Sequence, residues 1–126
     1  MSLPSDDGYG TIVCMNAKDT MTRYFETWNA HDFDAFEAQL ANEITFAGPL
    51  GTANGPAECR RGIEGLSAII SCAKVVTMVG EGDEVITWFE LQRDGEAPVP
   101  VANWARVRDG KIVRVRVTFD PRPLLG

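Results

Sequence analysis

Residues 99–119 read VPVANWARVRDGKIVRVRVTF, and this stretch decides the fold. Two runs rich in β-branched and aromatic residues flank the dipeptide Asp109-Gly110, which favours a tight turn between strands. The pattern predicts a β-hairpin in which side chains alternate between two faces. The register at the turn determines which of these side chains enter the core.

Two registers fit the sequence of the turn. A two-residue turn would place Arg108 opposite Lys111 and would mix polar and apolar residues on both faces, whereas a three-residue loop over 108–110 pairs Val107 with Lys111. Because a slip of one residue moves every side chain to the other face, we prefer the loop, which sorts the faces cleanly. It predicts an inward face of Val101, Asn103, Ala105, Val107, Val113, Val115, Val117 and Phe119, and an outward face of Trp104, Arg106, Ile112, Arg114 and Arg116.

The preceding residues predict two more strands, over 73–82 and 84–92. In the second of these, alternation predicts that Val85, Thr87, Phe89 and Leu91 face inward, and that Ile86, Trp88, Glu90 and Gln92 face outward. The outward faces of the strands then hold tryptophans, arginines and a glutamate. Trp and Arg are enriched at interface centres. We therefore predict a homodimer through Trp88, Glu90, Trp104, Arg106, Arg114 and Arg116, the alternative being a solvated face with cross-strand Glu–Arg pairs.

Helical patterns fill most of the chain before these strands. Apolar spacing predicts a helix over 16–30, with Tyr24 and Trp28 on its buried stripe. Asp32 is a natural N-cap for a second helix of about ten residues lined by Phe33, Phe36 and Leu40. A short strand over 43–49, a loop over 50–61 with one possible helical turn from Pro56, and a third helix over 63–72 complete the pattern. Helices followed by an antiparallel meander predict an α+β domain with its helices on one face of a curved sheet.

Length and composition limit the functional classes. The 126 residues fit one domain, predicted over 13–126 after a flexible tail over 1–12, and 44% hydrophobic content indicates a packed core. A net charge of −6 argues against nucleic-acid binding, and no apolar run approaches the roughly 20 residues that span a bilayer. Cys14, Cys59 and Cys72 cannot all pair in one chain and form no CxxC motif, which predicts free thiols and a cytoplasmic location.

Four segments carry a resemblance to a known family: RYFETWNAHDFDAF, ITFAGP, RRGIEGLSAI and RDGKIVRVRVTFD. Together with the order of helices and strands, they resemble the nuclear transport factor 2-like superfamily, and within it SnoaL-like proteins, which are relatives of polyketide cyclases, ketosteroid isomerases and limonene epoxide hydrolases. The similarity covers residues 15–123. It implies a cone-shaped α+β barrel with a pocket between sheet and helices, and dimers through the back of the sheet.

The resemblance also implies which residues would do chemistry. Ketosteroid isomerases polarise a carbonyl with a tyrosine, matched here by Tyr24, and with a protonated aspartate, whose position is Asn103. Their base aspartate precedes a proline after the first strand, and that position is Gly48. Polyketide cyclases and epoxide hydrolases place an acid in the last strand, at the position of Val117. The two donors therefore have counterparts here, whereas both family carboxylates are missing.

Other residues are candidates for the missing proton carrier. Glu58 lies in the segment expected over the pocket mouth, and Asp120 follows the last strand, where it either anchors the tail or reaches the pocket rim. Cys59 stands beside two arginines, which would lower its thiol pKa. His31 is interpreted as structural. The residues expected to line the pocket, or to fill it as core, are Trp28, Phe46, Cys59, Phe89, Val115, Val117 and Phe119.

Three hypotheses follow for the function. In the first, the chain binds a small cyclic, terpenoid or polyketide-like molecule and isomerises, cyclises or hydrates it without a cofactor or metal. Tyr24 and Asn103 would then donate hydrogen bonds, and Glu58 or Asp120 would carry the proton. In the second, it binds such a molecule without catalysis. In the third, its own side chains fill the pocket and the domain is a dimeric scaffold.

Overall fold

The computed structural model describes residues 16–125, so the predicted tail over 1–12 lies outside the described residues. The helices and strands follow in the order α1 (Ala17–Asn29), α2 (Phe33–Ala38), β1 (Leu40–Gly48), β2 (Gly51–Asn54), α3 (Pro56–Ser67), β3 (Cys72–Glu81), β4 (Glu84–Gln92), β5 (Val99–Arg108), β6 (Lys111–Thr118) and α4 (Arg122–Leu125). The six strands form one mixed sheet in the order β2-β1-β6-β5-β4-β3. Strands β3 to β6 are the predicted antiparallel meander, and β1 adds to it parallel to β6. The predicted α+β architecture is confirmed.

Helix α1 begins at a capping box and covers the sheet. The Asn16 side chain accepts a hydrogen bond from the Asp19 backbone N–H at 2.8 Å, and the Asp19 carboxylate accepts one from the Asn16 N–H at 3.2 Å. The buried stripe of the helix contains Phe25, whose ring centroid lies 4.8 Å from that of Phe89 on β4. This contact joins the helix to the core of the sheet.

Three predicted boundaries in the first half of the chain are wrong. Helix α2 ends at Ala38, and Leu40 starts β1, because the Ile112 N–H donates to the Gln39 carbonyl at 2.9 Å and draws the chain into the sheet. The segment 50–61 contains β2 and the first half of α3 rather than a loop, and the helical turn that was expected from Pro56 is the start of α3. Helix α3 ends at Ser67, because the Ser71 N–H pairs with the Gln92 carbonyl at 2.7 Å and begins the β3–β4 ladder.

The hairpin register also differs from the prediction. The turn has two residues, with Asp109 at φ 53° and Gly110 at φ 75°, as in a type I′ turn, and Arg108 faces Lys111. The register shifts at a bulge after Arg106, which pairs with Arg114, so that one residue of β6 has no partner. This bulge turns Ile112 inward, where it is fully buried, and leaves Val113 partly exposed. Beyond it the faces sort as predicted.

Candidate functional site

A cavity of about 370 Å³ lies between the sheet and helices α1, α2 and α3. Its volume is within the range of small-molecule sites. Its inner wall is formed by buried side chains, and its mouth by exposed residues of the β1–β2 turn, β2 and α3. All seven residues expected at a pocket contribute to its lining: Trp28, Phe46, Cys59, Phe89, Val115, Val117 and Phe119.

Asn103 is a buried polar residue in the inner wall of the cavity. It is 1% exposed, and neither its amide nitrogen nor its amide oxygen has a hydrogen-bond partner within residues 16–125. Thr87, directly opposite on β4, is also fully buried, with an unpartnered hydroxyl. Because buried polar side chains are normally hydrogen-bonded, the Asn103 amide is available to a molecule in the cavity.

Tyr24 lines the same cavity from α1. Its ring packs against Phe36 and Phe25, with centroids 4.8 and 5.0 Å away. Burial raises the pKa of the Tyr24 hydroxyl far above its usual value, the Cys59 thiol adds to the rise, and the nearby Asn103 amide opposes it. The two groups do not meet at normal hydrogen-bond geometry, since the amide has no partner. Tyr24 is therefore a neutral donor near Asn103.

The two candidate proton carriers lie in different places. Glu58 lines the mouth, where it is exposed and its carboxylate accepts a hydrogen bond from the Asn54 N–H at 2.9 Å. Asp120 is not among the lining residues, and it accepts hydrogen bonds from the guanidinium and the backbone N–H of Arg122. The Arg122 guanidinium lowers the pKa of Asp120 to about 2, and the backbone N–H contributes. The structure thus brings Glu58, and not Asp120, to the cavity.

Cys59 lines the cavity, but the predicted effect of its neighbouring arginines is wrong. Burial raises the pKa of the Cys59 thiol to about 11, and the Glu58 charge adds to the effect. Arg60 instead points at Asp34, Glu37 and Glu64, with N–O distances of 2.7, 3.0 and 3.2 Å. The thiol is therefore protonated at neutral pH and is no ready nucleophile. His31 is exposed, stacks on Phe33 and lies outside the lining.

The sequence predicts part of the cavity mouth, since it places Glu58, Cys59, Arg60 and Arg61 in the segment over the pocket. Glu58, Cys59 and Arg61 do line the cavity, together with Leu50, Thr52 and Ala53, which the sequence does not predict. The useful signal was Gly55-Pro56, because proline is favoured at the first position of a helix. A helix starting there places Arg61 one turn after Glu58.

Neither a metal site nor a membrane span is found in the described part of the chain. No three His, Cys, Asp or Glu side chains there converge as metal ligands. None of the helices between residues 16 and 125 is long and apolar enough to cross a membrane.

The model of the SnoaL-like domain family matches residues 21–115, which is most of the chain. The chain belongs to this family.

A search of curated proteins finds no match. Among solved structures, a protein from Kribbella flavida is 26% identical, with a TM-score of 0.78 over 85% of this chain and 88% of its own. A nuclear transport factor 2-like protein of unknown function from Cytophaga hutchinsonii is 24% identical, with a TM-score of 0.77 over 92% of this chain and 100% of its own. TerC, co-crystallised with polyporic acid, is 15% identical, with a TM-score of 0.71 over 86% and 95%.

In this SnoaL-like domain, Gly48 and Val117, the two positions at which the resemblance implies carboxylates, are neighbours. A Cβ atom built on Gly48 would lie 2.5 Å from Cγ2 of Val117 and 3.5 Å from the Phe46 ring. Val117 therefore occupies the space that any side chain at position 48 would need. This part of the cavity wall is therefore apolar.

The back of the SnoaL-like sheet, which faces away from the cavity, carries a cluster of exposed apolar and charged side chains. Ile86, Trp88 and Trp104 are 49%, 45% and 43% exposed. The Glu84 carboxylate accepts hydrogen bonds from Trp104 and Arg106, and it lies 3.7 Å from an Arg114 nitrogen. The bond from Arg106 is the main cause that lowers the pKa of Glu84. Glu90 instead accepts a bond from Gln92, so the cross-strand partner of the arginines is Glu84.

Proposed function

We propose that this SnoaL-like domain binds a small cyclic molecule of terpenoid or polyketide-like character and holds one oxygen of it with Tyr24 and Asn103. The unpartnered Asn103 amide carries the proposal, because it is buried in a cavity wall that is apolar apart from Asn103 and the Tyr24 hydroxyl. TerC, which shares the fold, was crystallised with polyporic acid.

The inner wall favours binding over catalysis. Tyr24 and Asn103 can both donate to a carbonyl or hydroxyl oxygen, and neither is charged at neutral pH. Donors alone stabilise a developing oxyanion only when another group moves a proton. The positions at which the resemblance implies acids are Gly48 and Val117, and among residues 16–125 the inner wall has no carboxylate that could serve as a base.

Calorimetric titration with naphthol as the probe tests this proposal. Asn103→Leu and Tyr24→Phe should each weaken binding by roughly tenfold, the effect of one lost hydrogen bond to a buried partner. Asn42→Leu makes the same substitution at an exposed position of β1 outside the cavity lining and should leave binding unchanged. Naphthol binding that is insensitive to both cavity variants would refute the assigned site.

A second candidate function is cofactor-independent proton transfer, as in isomerisation, cyclisation or hydration. Glu58 favours it, since it is the carboxylate among the residues that line the cavity. Should a turnover be found, Glu58→Gln should abolish it while naphthol still binds. Turnover that survives this substitution would exclude Glu58 as the proton carrier.

We also infer that the domain is a homodimer through the back of the sheet. The exposed Trp88 and Trp104 form its centre, with Glu90, Arg106, Arg114 and Arg116 around them. Arg114 lies over the Trp104 ring with its guanidinium carbon 4.5 Å from the ring centroid, which is a cation–π contact. The molar mass from light scattering should be twice that of one chain. The cytoplasmic location stays a prediction.

A further inference from the structure

We propose that the ligand is an organic acid that enters the cavity with a neutral oxygen-bearing end first and leaves its carboxylate at the mouth, paired with Arg61. This inference rests on the proposed binding function and specifies its ligand class. It follows from where the charged residues lie around the cavity.

The charges of the lining are confined to the mouth. The charged residues that line the cavity are Glu58 and Arg61, and both are exposed residues of α3. The polar groups of the inner wall, Tyr24 and Asn103, are neutral and buried. An unpaired ionised group is strongly disfavoured in such surroundings, so a charged ligand must keep its charge near solvent.

Arg61 is the cation that can meet an anionic ligand. Within residues 16–125 its guanidinium has no carboxylate within 4 Å, whereas its neighbour Arg60 contacts three carboxylates. A guanidinium binds a carboxylate through two parallel hydrogen bonds, which orients the ligand as well as attracting it. Arg61 therefore offers an anchor at the mouth that no residue of the described fold uses.

Glu58 is the charge that would oppose an anion there. Its carboxylate is bonded to the backbone N–H of Asn54 on β2, at 2.9 Å, and does not pair with Arg61. This bond directs Glu58 toward β2. The ligand carboxylate bound to Arg61 therefore avoids the most direct repulsion from the Glu58 carboxylate.

The inner end of the ligand is defined by Asn103. Its side-chain amide presents both a donor and an acceptor, and both lack partners within residues 16–125. A hydroxyl can satisfy both at once, whereas a carbonyl satisfies only the donor. The structure thus favours a hydroxy acid with an apolar ring system between its two polar ends.

Three matched probes test this orientation by calorimetry. They are a hydroxynaphthoic acid with its two polar groups at opposite ends of the rings, its methyl ester, and naphthol. The native chain should bind the acid about fourfold more tightly than the ester, the gain expected from one well-oriented exposed ion pair. Arg61→Gln should remove that difference while leaving ester and naphthol binding unchanged. Arg108→Gln, the same substitution in an exposed arginine outside the lining, should retain it.

The outcomes separate the two proposals. If naphthol binds in a way that depends on Asn103, but acid and ester bind equally to the native chain, the orientation is refuted and the binding function stands. An acid preference that survives Arg61→Gln also refutes the orientation. If none of the three probes binds at millimolar concentration, the proposed binding function fails, and the inference fails with it.

Discussion

At the scale of single residues, the Asn103 side chain lowers the stability of the fold but is available to bind a ligand. Its buried amide lacks partners within the described chain, and an unsatisfied buried polar group costs about 1–3 kcal/mol. Asn103→Leu should therefore raise the free energy of unfolding by about 1 kcal/mol. The lower end of the range applies because water that enters the cavity can hydrogen-bond to the amide. Urea denaturation measures this change. A loss of stability of similar size would show that the amide has a partner in the folded chain.

The contact between Gly48 and Val117 gives a second prediction at this scale. Gly48→Ala would place a methyl group 2.5 Å from Val117, so the substitution should destabilise the fold by about 2 kcal/mol through overpacking. Val117→Ala in the same chain should relieve most of that loss. A double-mutant cycle in urea measures the coupling between the two positions. Additive effects would mean that the Val117 side chain does not occupy the space.

Alkaline pH should destabilise the fold through Cys59 and Tyr24. Both groups hold a proton more tightly in the folded chain, so their contribution is complete below the unfolded pKa and is lost as pH rises through the folded value. For Cys59 this window runs from 9.0 to about 11, and for Tyr24 the loss begins at 10.0. Urea midpoints measured from neutral pH upward should fall first in the Cys59 window.

Variants separate the two contributions to this pH dependence. Cys59→Ser should remove the part of the decline that starts at 9.0, and Tyr24→Phe the part that starts at 10.0. Cys72→Ser serves as the control for loss of a thiol outside the cavity lining. An unchanged decline in the Cys59 variant would contradict the assignment.

At the scale of secondary-structure elements, alternation predicted which residues of β4 and β5 face the helices. Val85, Thr87, Phe89 and Leu91 are buried as expected, because period-two patterns survive wherever a strand has one buried face. The bulge in β6 was not predictable from this pattern. It lets Ile112 and Val115 both turn inward although an odd spacing of three separates them, and a regular strand would send them to opposite faces.

The elements around the cavity mouth were the hardest to predict. Helix α3 contains Gly62 and Gly65, and Ile63 is the one buried residue of this helix, so its sequence carries a weak helical pattern. Tertiary contacts determine its position instead. Tyr24 and Asn103 could be predicted as site residues from the resemblance. Arg61 could be placed near the pocket mouth, but its orientation could not be predicted, because it depends on where α3 begins.

Helix α3 should be held over the cavity mainly by its polar links to other helices. Arg60 joins it to Asp34 and Glu37 of α2, and the Ser67 hydroxyl accepts a bond from the Trp28 indole at 2.9 Å. Arg60→Ala should speed hydrogen exchange of the α3 amides by roughly fivefold, since each exposed ion pair contributes little alone. Arg61→Ala, one residue further along the same helix, should not. Equal effects of the two variants would mean that the ion pairs do not fix the helix.

At the scale of the whole molecule, the two faces of the sheet form two separate surfaces, the cavity wall and the proposed interface. Its inner face forms the cavity wall with Asn103 and Phe89, and its outer face presents Trp88 and Trp104 on the same two strands. Because successive residues of a strand point to opposite faces, β4 and β5 carry both sets of side chains without conflict. Dimerisation through the outer face would therefore leave the cavity mouth, formed by β2 and α3, open to solvent.

This separation makes the interface testable without disturbing the cavity. Trp104→Glu places a charge at the centre of the proposed interface, beside Glu84, and should raise the dimer dissociation constant by at least about thirtyfold, as expected for a tryptophan hot spot. Sedimentation equilibrium measures this constant, and naphthol binding per chain should stay unchanged. Ile69→Glu introduces the same charge at an exposed apolar residue away from the sheet and should leave the dimer intact. A native chain that sediments as a monomer at every concentration would rule out the interface. A dimer insensitive to Trp104→Glu would place the contact on another surface, and the tryptophans of β4 and β5 would then need a different partner.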